Sequence, residues 1–134
     1  PARPVSPLKE QPWRIILTHD ASSIPADSIC LTDEFRDRTL VVENVFSYLE
    51  LLKKLYNDKK IGTILLEAGG CLVREFLKAG LVDEWVGFYA PIIIGGGADG
   101  VAPGPFLEHE AHLEQPVVNI FGDDVCIRGD ICYR

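Results

Sequence analysis

Glu67, Gly69 and Gly70 are the residues whose types and spacing best suit chemistry. They follow the apolar run Thr63–Leu66 and precede Cys71 and Leu72. A strand that ends in an acid, then two glycines, then a helix start is a ligand-binding arrangement, because open α/β sheets bind ligands beyond the carboxyl ends of their strands. Glycine lets a ligand approach the backbone with no Cβ in the way. The free N–H groups of the next helical turn, with the helix dipole, favour an anion such as a nucleotide phosphate. A plain strand-to-helix turn would use the same diglycine, and neither the dinucleotide-binding nor the P-loop glycine fingerprint is present. Glu67 either caps the following turn or accepts hydrogen bonds from a substrate's hydroxyl or amine groups.

Other reactive side chains carry weaker patterns. Cys71 stands near the expected helix N-terminus, where a thiolate is favoured. A thiol hydrolase would need a His beside it, and no spacing supplies one. His109 and His112 lie three apart among Glu108, Glu110 and Glu114. On a helix they would converge on a metal, but the periodicity there is weak and a solvated acidic face is the better reading, so no metal site is expected. Asp123-Asp124 is turn chemistry. Gly95–Gly100 reads as a flexible loop, either a cover over a ligand or a plain turn.

The elements that must position these residues follow from periodicity. Trp13–Thr18 and Thr39–Val42 are β-forming apolar runs, and Ser28–Leu31 is a short strand candidate. Val45, Leu49, Leu52 and Tyr56 share one face of a helix, with Asn44 as N-cap and Asn57–Lys60 as its end. Thr63–Leu66 is wholly apolar, which predicts a central buried strand. Leu72, Val73, Phe76 and Leu77 mark a second helix stopped by Gly80. Glu84–Ala90 and Ile92–Ile94 read as a strand interrupted by Pro91. Val117–Phe121 and Val125–Arg128 flank Gly122-Asp123-Asp124 as a β-hairpin. This order predicts an α/β fold, a three-layer sheet with an antiparallel end.

Composition bounds the function. The chain has 134 residues, 13 basic and 20 acidic, for a net charge of −7. That field does not attract phosphate backbones, so nucleic-acid partners are not expected. No apolar run approaches the roughly 20 residues that cross a bilayer. Pro1 to Pro12 form an extended lead-in without the apolar core of a signal peptide. Residues 13–134 read as one domain. The chain has no Met and opens with Pro1, which suggests a segment of a longer polypeptide. Cys30, Cys71, Cys126 and Cys132 lack zinc-ligand spacing, so the thiols are expected to be reduced and mostly buried, as in a cytoplasmic protein.

Three stretches together resemble a family: Glu67-Ala68-Gly69-Gly70, then Ala79-Gly80-Leu81-Val82-Asp83-Glu84, then Ala90-Pro91-Ile92-Ile93-Ile94-Gly95-Gly96. They are similar, in order and spacing, to the reductase domain of riboflavin biosynthesis, the C-terminal half of the bifunctional deaminase-reductase. The resemblance implies a dihydrofolate-reductase-like fold with NADPH as cofactor, and a homodimer. It implies that Glu67 contacts the ribose-derived part of a small-molecule substrate. It assigns Gly69, Gly70, Cys71, Leu72, Val73, Arg74 and Glu75 to the segment that holds NADPH, and His19 to a cofactor contact, although His departs from the family's small polar residue there. The implied reaction reduces a ribosylamino-pyrimidine phosphate to its ribitylamino product. A catalytic proton donor is not assigned. Family domains begin with about sixty further residues that nothing in residues 1–12 resembles, so the fold is expected to be incomplete at its N-terminus. A pterin reductase of the same fold and a non-catalytic module that kept the fold are the alternatives.

Overall fold

Strand β1 (Arg14–Thr18) pairs in parallel with β2 (Thr39–Glu43), Arg14 facing Thr39 and Thr18 facing Glu43. Both arise where the β-branched runs RIILT and TLVV place them. The structure is a computed structural model that describes residues 11–93, 101–105 and 107–134. The chain divides into two compact units, Pro1–Thr63 and Ile64–Arg134.

In the first unit, a short helix α1 (Ile29–Thr32) replaces the strand expected at Ser28–Leu31. Four residues are too few to reveal a period, and the turn closes through Leu31 N–H to Ser28 O at 2.8 Å and Asp33 N–H to Ile29 O at 2.9 Å. Arg14 then locks this turn to β1. Its guanidinium donates to both Asp33 carboxylate oxygens, at 2.6 and 2.8 Å, and to Cys30 O at 3.0 Å. Helix α2 (Tyr48–Lys59) starts later than the periodicity of Val45 suggests. Ser47, not Asn44, is the N-cap, and its hydroxyl accepts from Glu50 N–H at 3.3 Å. The sequence Ser47-Tyr48-Leu49-Glu50 has the spacing of a capping box, while Asn44 takes a left-handed φ of 51° outside the helix. Lys60, at φ 57°, ends α2. Trp13 is bracketed by Lys59 Nζ at 4.6 Å and the Arg38 guanidinium at 5.4 Å from its ring centre, cation–π contacts that tie the helix end to the start of β1.

Thr63–Leu66 is not a strand among the described residues, and it is not buried: Leu65 is 80% exposed. An apolar run becomes a strand only when a ladder closes beside it, and no described strand pairs here. The boundary between the units falls within the run.

The second unit begins with helix α3 (Gly70–Lys78), whose buried residues are Phe76 and Leu77. It ends as expected at Gly80, with φ 65°. Leu81 N–H donates to Phe76 O and Gly80 N–H to Leu77 O, both at 3.0 Å, the paired bonds of a Schellman cap. Strands β3 (Glu84–Tyr89), β4 (Ala111–Phe121) and β5 (Asp124–Tyr133) form an antiparallel sheet in the order β3-β5-β4. Cys126 is buried at its centre, facing Phe88 on one side and Asn119 on the other.

The expected hairpin is present and longer than its apolar cores, with Gly122 at φ 64° in the turn. Its register shifts between Glu114 and Val117, where Gln115 takes φ 44° and Pro116 follows. Gly129 lies opposite this bulge, and a Cβ there would stand 3.1 Å from Glu114 O. Strand β3 ends at Tyr89, so the expected continuation at Ile92 and Ile93 does not form; Pro91 has no N–H for a ladder. Ile94 and Gly95–Gly100 lie outside the described residues. No helix among the described residues is long and apolar enough to cross a membrane.

Candidate functional site

The N-terminus of α3 is where the candidate residues meet. Gly69 is the N-cap, at φ −66° and ψ 157°, and no side chain caps the helix. Its carbonyl accepts from Leu72 and Val73 N–H at 3.1 and 3.2 Å. The Gly70 and Cys71 N–H groups precede those first bonds and have no partner in the helix. A Cβ built on Gly69 meets nothing within 4 Å, so the space beside the cap is open. Open space, unused donors and the positive end of a nine-residue helix make an anion cradle. Glu67, Gly69 and Cys71 are exposed, and Glu67 makes no hydrogen bond among the described residues. Its carboxylate is free to accept from a polyol or amine placed beside the cradle.

The other predicted residues serve α3 differently. Leu72 and Val73 are half-buried packing residues. Arg74 is held by the segment before β4. Its Nη2 donates to Pro105 O at 2.8 Å, its Nη1 pairs with Glu75 Oε1 at 3.2 Å, and its side chain is only 12% exposed. Gly104, at φ 125°, lies flat on this guanidinium, and a Cβ there would approach Arg74 Nε to 2.9 Å. Arg74 and Glu75 therefore belong to a strap that fastens the segment before β4 onto α3. Periodicity could not show this strap, because its partner lies 31 positions along the chain. His19 is exposed just past the carboxyl end of β1, in the first unit. Glu67 through Glu75 belong to the second.

The remaining candidates resolve simply. No helix carries His109 and His112: His112 lies in β4 and pairs with Glu110 Oε2 at 2.9 Å. Among the described residues no three His, Cys, Asp or Glu side chains converge on a metal-sized site. The four cysteines are free. Only Cys126 is buried, whereas Cys71 is exposed and Cys30 and Cys132 are half-buried, which corrects the expectation of mostly buried thiols. A polar feature that the sequence did not advertise is Tyr133, whose hydroxyl accepts from Val82 N–H at 3.0 Å and donates to Val82 O at 3.1 Å. It fixes the chain between α3 and β3 to the last strand.

The family model described as the RibD C-terminal domain matches residues 2–127. The chain belongs to the RibD C-terminal domain family. It is 35% identical over 95 residues to the riboflavin biosynthesis protein RibD of Escherichia coli strain K12, an alignment covering 67% of this chain and 26% of that protein. Two structures of Acinetobacter baumannii RibD match 90% of this chain at 24% identity, with TM-scores of 0.75 for form 2 and 0.74 for form 1. The chain spans 38% of each of those proteins. The fold is thus the dihydrofolate-reductase-like α/β fold of RibD reductase domains, a riboflavin-biosynthesis family of oxidoreductases. The diglycine at the tip of α3 and the Schellman glycine at its end lie in two of the three stretches that carry the family resemblance.

Proposed function

We propose that this RibD C-terminal domain reduces a 5-amino-6-ribosylamino-pyrimidinedione 5′-phosphate to its ribitylamino product, using NADPH. The observation that carries the reading is the uncapped, open N-terminus of α3 beside the exposed carboxylate of Glu67. Gly70 and Cys71 N–H groups hold a cofactor phosphate, reinforced by the helix dipole. Gly69 leaves room for that phosphate at backbone distance. Glu67 accepts hydrogen bonds from hydroxyls of the ribose-derived chain and fixes its orientation. NADPH, when bound, supplies hydride to C1′ of the sugar. Leu72 and Val73 anchor the cradle by packing, and the Arg74 strap steadies it from behind. In this reading the domain works in the cytoplasm and acts as a homodimer on a small-molecule substrate, with no nucleic acid or membrane partner.

Titrating the chain with NADPH, followed by its tryptophan fluorescence, tests this. Gly70→Asp is the control. An acid in the first turn of a helix favours the helix while repelling a phosphate, so the variant keeps its circular dichroism. Saturable binding by the chain, and its loss in Gly70→Asp, is the expected result. Equal binding by both proteins would place the cofactor elsewhere, and no binding by either would end the reading for this chain.

A further inference from the structure

We propose that Arg74, through its grip on Gly104 and Pro105, is the positioning residue that keeps the first turn of α3 ordered before any ligand is bound. That turn is the phosphate cradle of the cofactor reading above, and the effect on cofactor affinity rests on that reading. The effect on the turn itself does not.

Helix α3 begins weakly. No side chain caps it, and Gly70, its first residue, loses more backbone freedom on ordering than any other residue type. Its buried residues, Phe76 and Leu77, both lie in its second half. Cys71 is exposed, and Leu72 and Val73 are only half-buried. A helix end with so few buried contacts frays. A phosphate cradle, however, needs its N–H groups already aimed at one point. A site that is ordered only part of the time loses affinity in proportion to that fraction. Something outside the first turn must therefore hold it.

Arg74 stands four residues after Gly70, one turn on and on the same helix face. Leu72 and Val73 N–H close the first turn on Gly69 O, so that turn lies between Gly69 and Arg74. The guanidinium is fixed from two sides, by Pro105 O at 2.8 Å and by Glu75 Oε1 at 3.2 Å. Gly104 makes the grip possible. At φ 125° it adopts a conformation that side chains avoid, and a Cβ there would stand 2.9 Å from Arg74 Nε and 3.2 Å from Cδ. Arg74 Nε is buried and has no hydrogen-bond partner. An unpaired buried donor is costly and calls for a reason; here the guanidinium is kept for its place, not for its count of bonds. A direct role on a phosphate is closed to it, because both Nη atoms are engaged and the side chain is only 12% exposed. A planar fork loses little freedom for each bond it makes, which suits a fixed latch.

The test compares the full chain with Arg74→Met, which removes the latch, and Gly104→Ala, which keeps every charge and spoils the fit from the other side. Circular dichroism sets a temperature at which all three are folded. The first readout is the backbone order of the unliganded proteins by nitrogen-15 relaxation. In both variants the amides of Cys71, Leu72 and Val73 are expected to fall from the rigid value of about 0.85 toward about 0.6, with the Cys126 amide, at the centre of the sheet, unchanged. A loss of global stability alone would not move these values while the chain stays folded. The second readout is NADPH affinity by tryptophan fluorescence, expected to weaken about fivefold or more in both variants, as the ordered fraction of the cradle drops. A first turn that stays rigid in both variants would overturn the latch. So would affinity equal to wild type in both. A loss of order at Leu72 and Val73 in a chain whose wild type binds no NADPH would support the latch and overturn the cofactor reading instead.

Discussion

The Asp33 carboxylate is held below the usual aspartate range, chiefly by the hydrogen bond from Arg14 and further by Phe35 N–H and the guanidinium charge, which together outweigh its partial burial. A lowered folded-state pKa means that the ionised acid stabilises the fold. That contribution is complete above the unfolded value of about 3.9 and disappears as pH falls through the lower folded value. Asp33→Asn removes the charge and keeps the shape. The stability difference between wild type and variant, from urea unfolding, is therefore expected to be constant and positive from pH 5 to 7 and to shrink below pH 4. A difference independent of pH down to 2 would assign the effect to geometry alone. The sequence offers no hint of this pair, because Arg14 and Asp33 lie 19 positions apart and meet only once β1 and α1 have formed. The helix start at Gly69 and Gly70 is legible for the opposite reason, since a cap and the first helical turn are decided by consecutive residues.

At the scale of elements, what could be read was whatever short-range chemistry decides. The Schellman stop at Gly80, the turn at Gly122 and strands β1, β2, β3 and β5 all follow from residues within a turn of one another. Two of the missed strands share one cause: Thr63–Leu66 and Ile92–Ile93 are apolar enough for strands, but pairing decides, and no described partner is there. Helix α2 is an instructive exception, because its true cap was visible as Ser47 and Glu50 three apart, and hydrophobic spacing from Val45 obscured it. The Arg74–Gly104 strap is a non-local device and makes its own prediction. Arg74→Met deletes the donor to Pro105 O, and Gly104→Ala brings a Cβ against the guanidinium at a φ of 125° that side chains avoid. Each is expected to cost about 1–2 kcal/mol, as a charged hydrogen bond or a strained backbone does. Because both disrupt one contact, the double variant should lose at least 0.5 kcal/mol less than the sum, measured as a double-mutant cycle in urea. Additivity would show that the two residues act separately.

For the molecule as a whole, the acidic balance sets the conditions under which copies can meet. Two chains of charge −7 repel each other at distances longer than the contact itself. A contact between apolar surfaces adds no charge to that repulsion, and it is not weakened by ordinary salt. Raising ionic strength from 0.01 M to 0.15 M shortens the screening length from about 30 Å to about 8 Å. Long-range repulsion then falls while an apolar contact stays. A homodimer of the kind proposed above, held by apolar contact, is therefore expected to tighten several-fold over this range, with a thermal midpoint that rises with protein concentration, as linkage requires when only the folded chain associates. Sedimentation equilibrium at the two salt concentrations measures it. An interface built from ion pairs would loosen instead, since the same screening would remove its attraction. The direction of the salt effect thus separates an apolar interface from a charged one before any residue is changed.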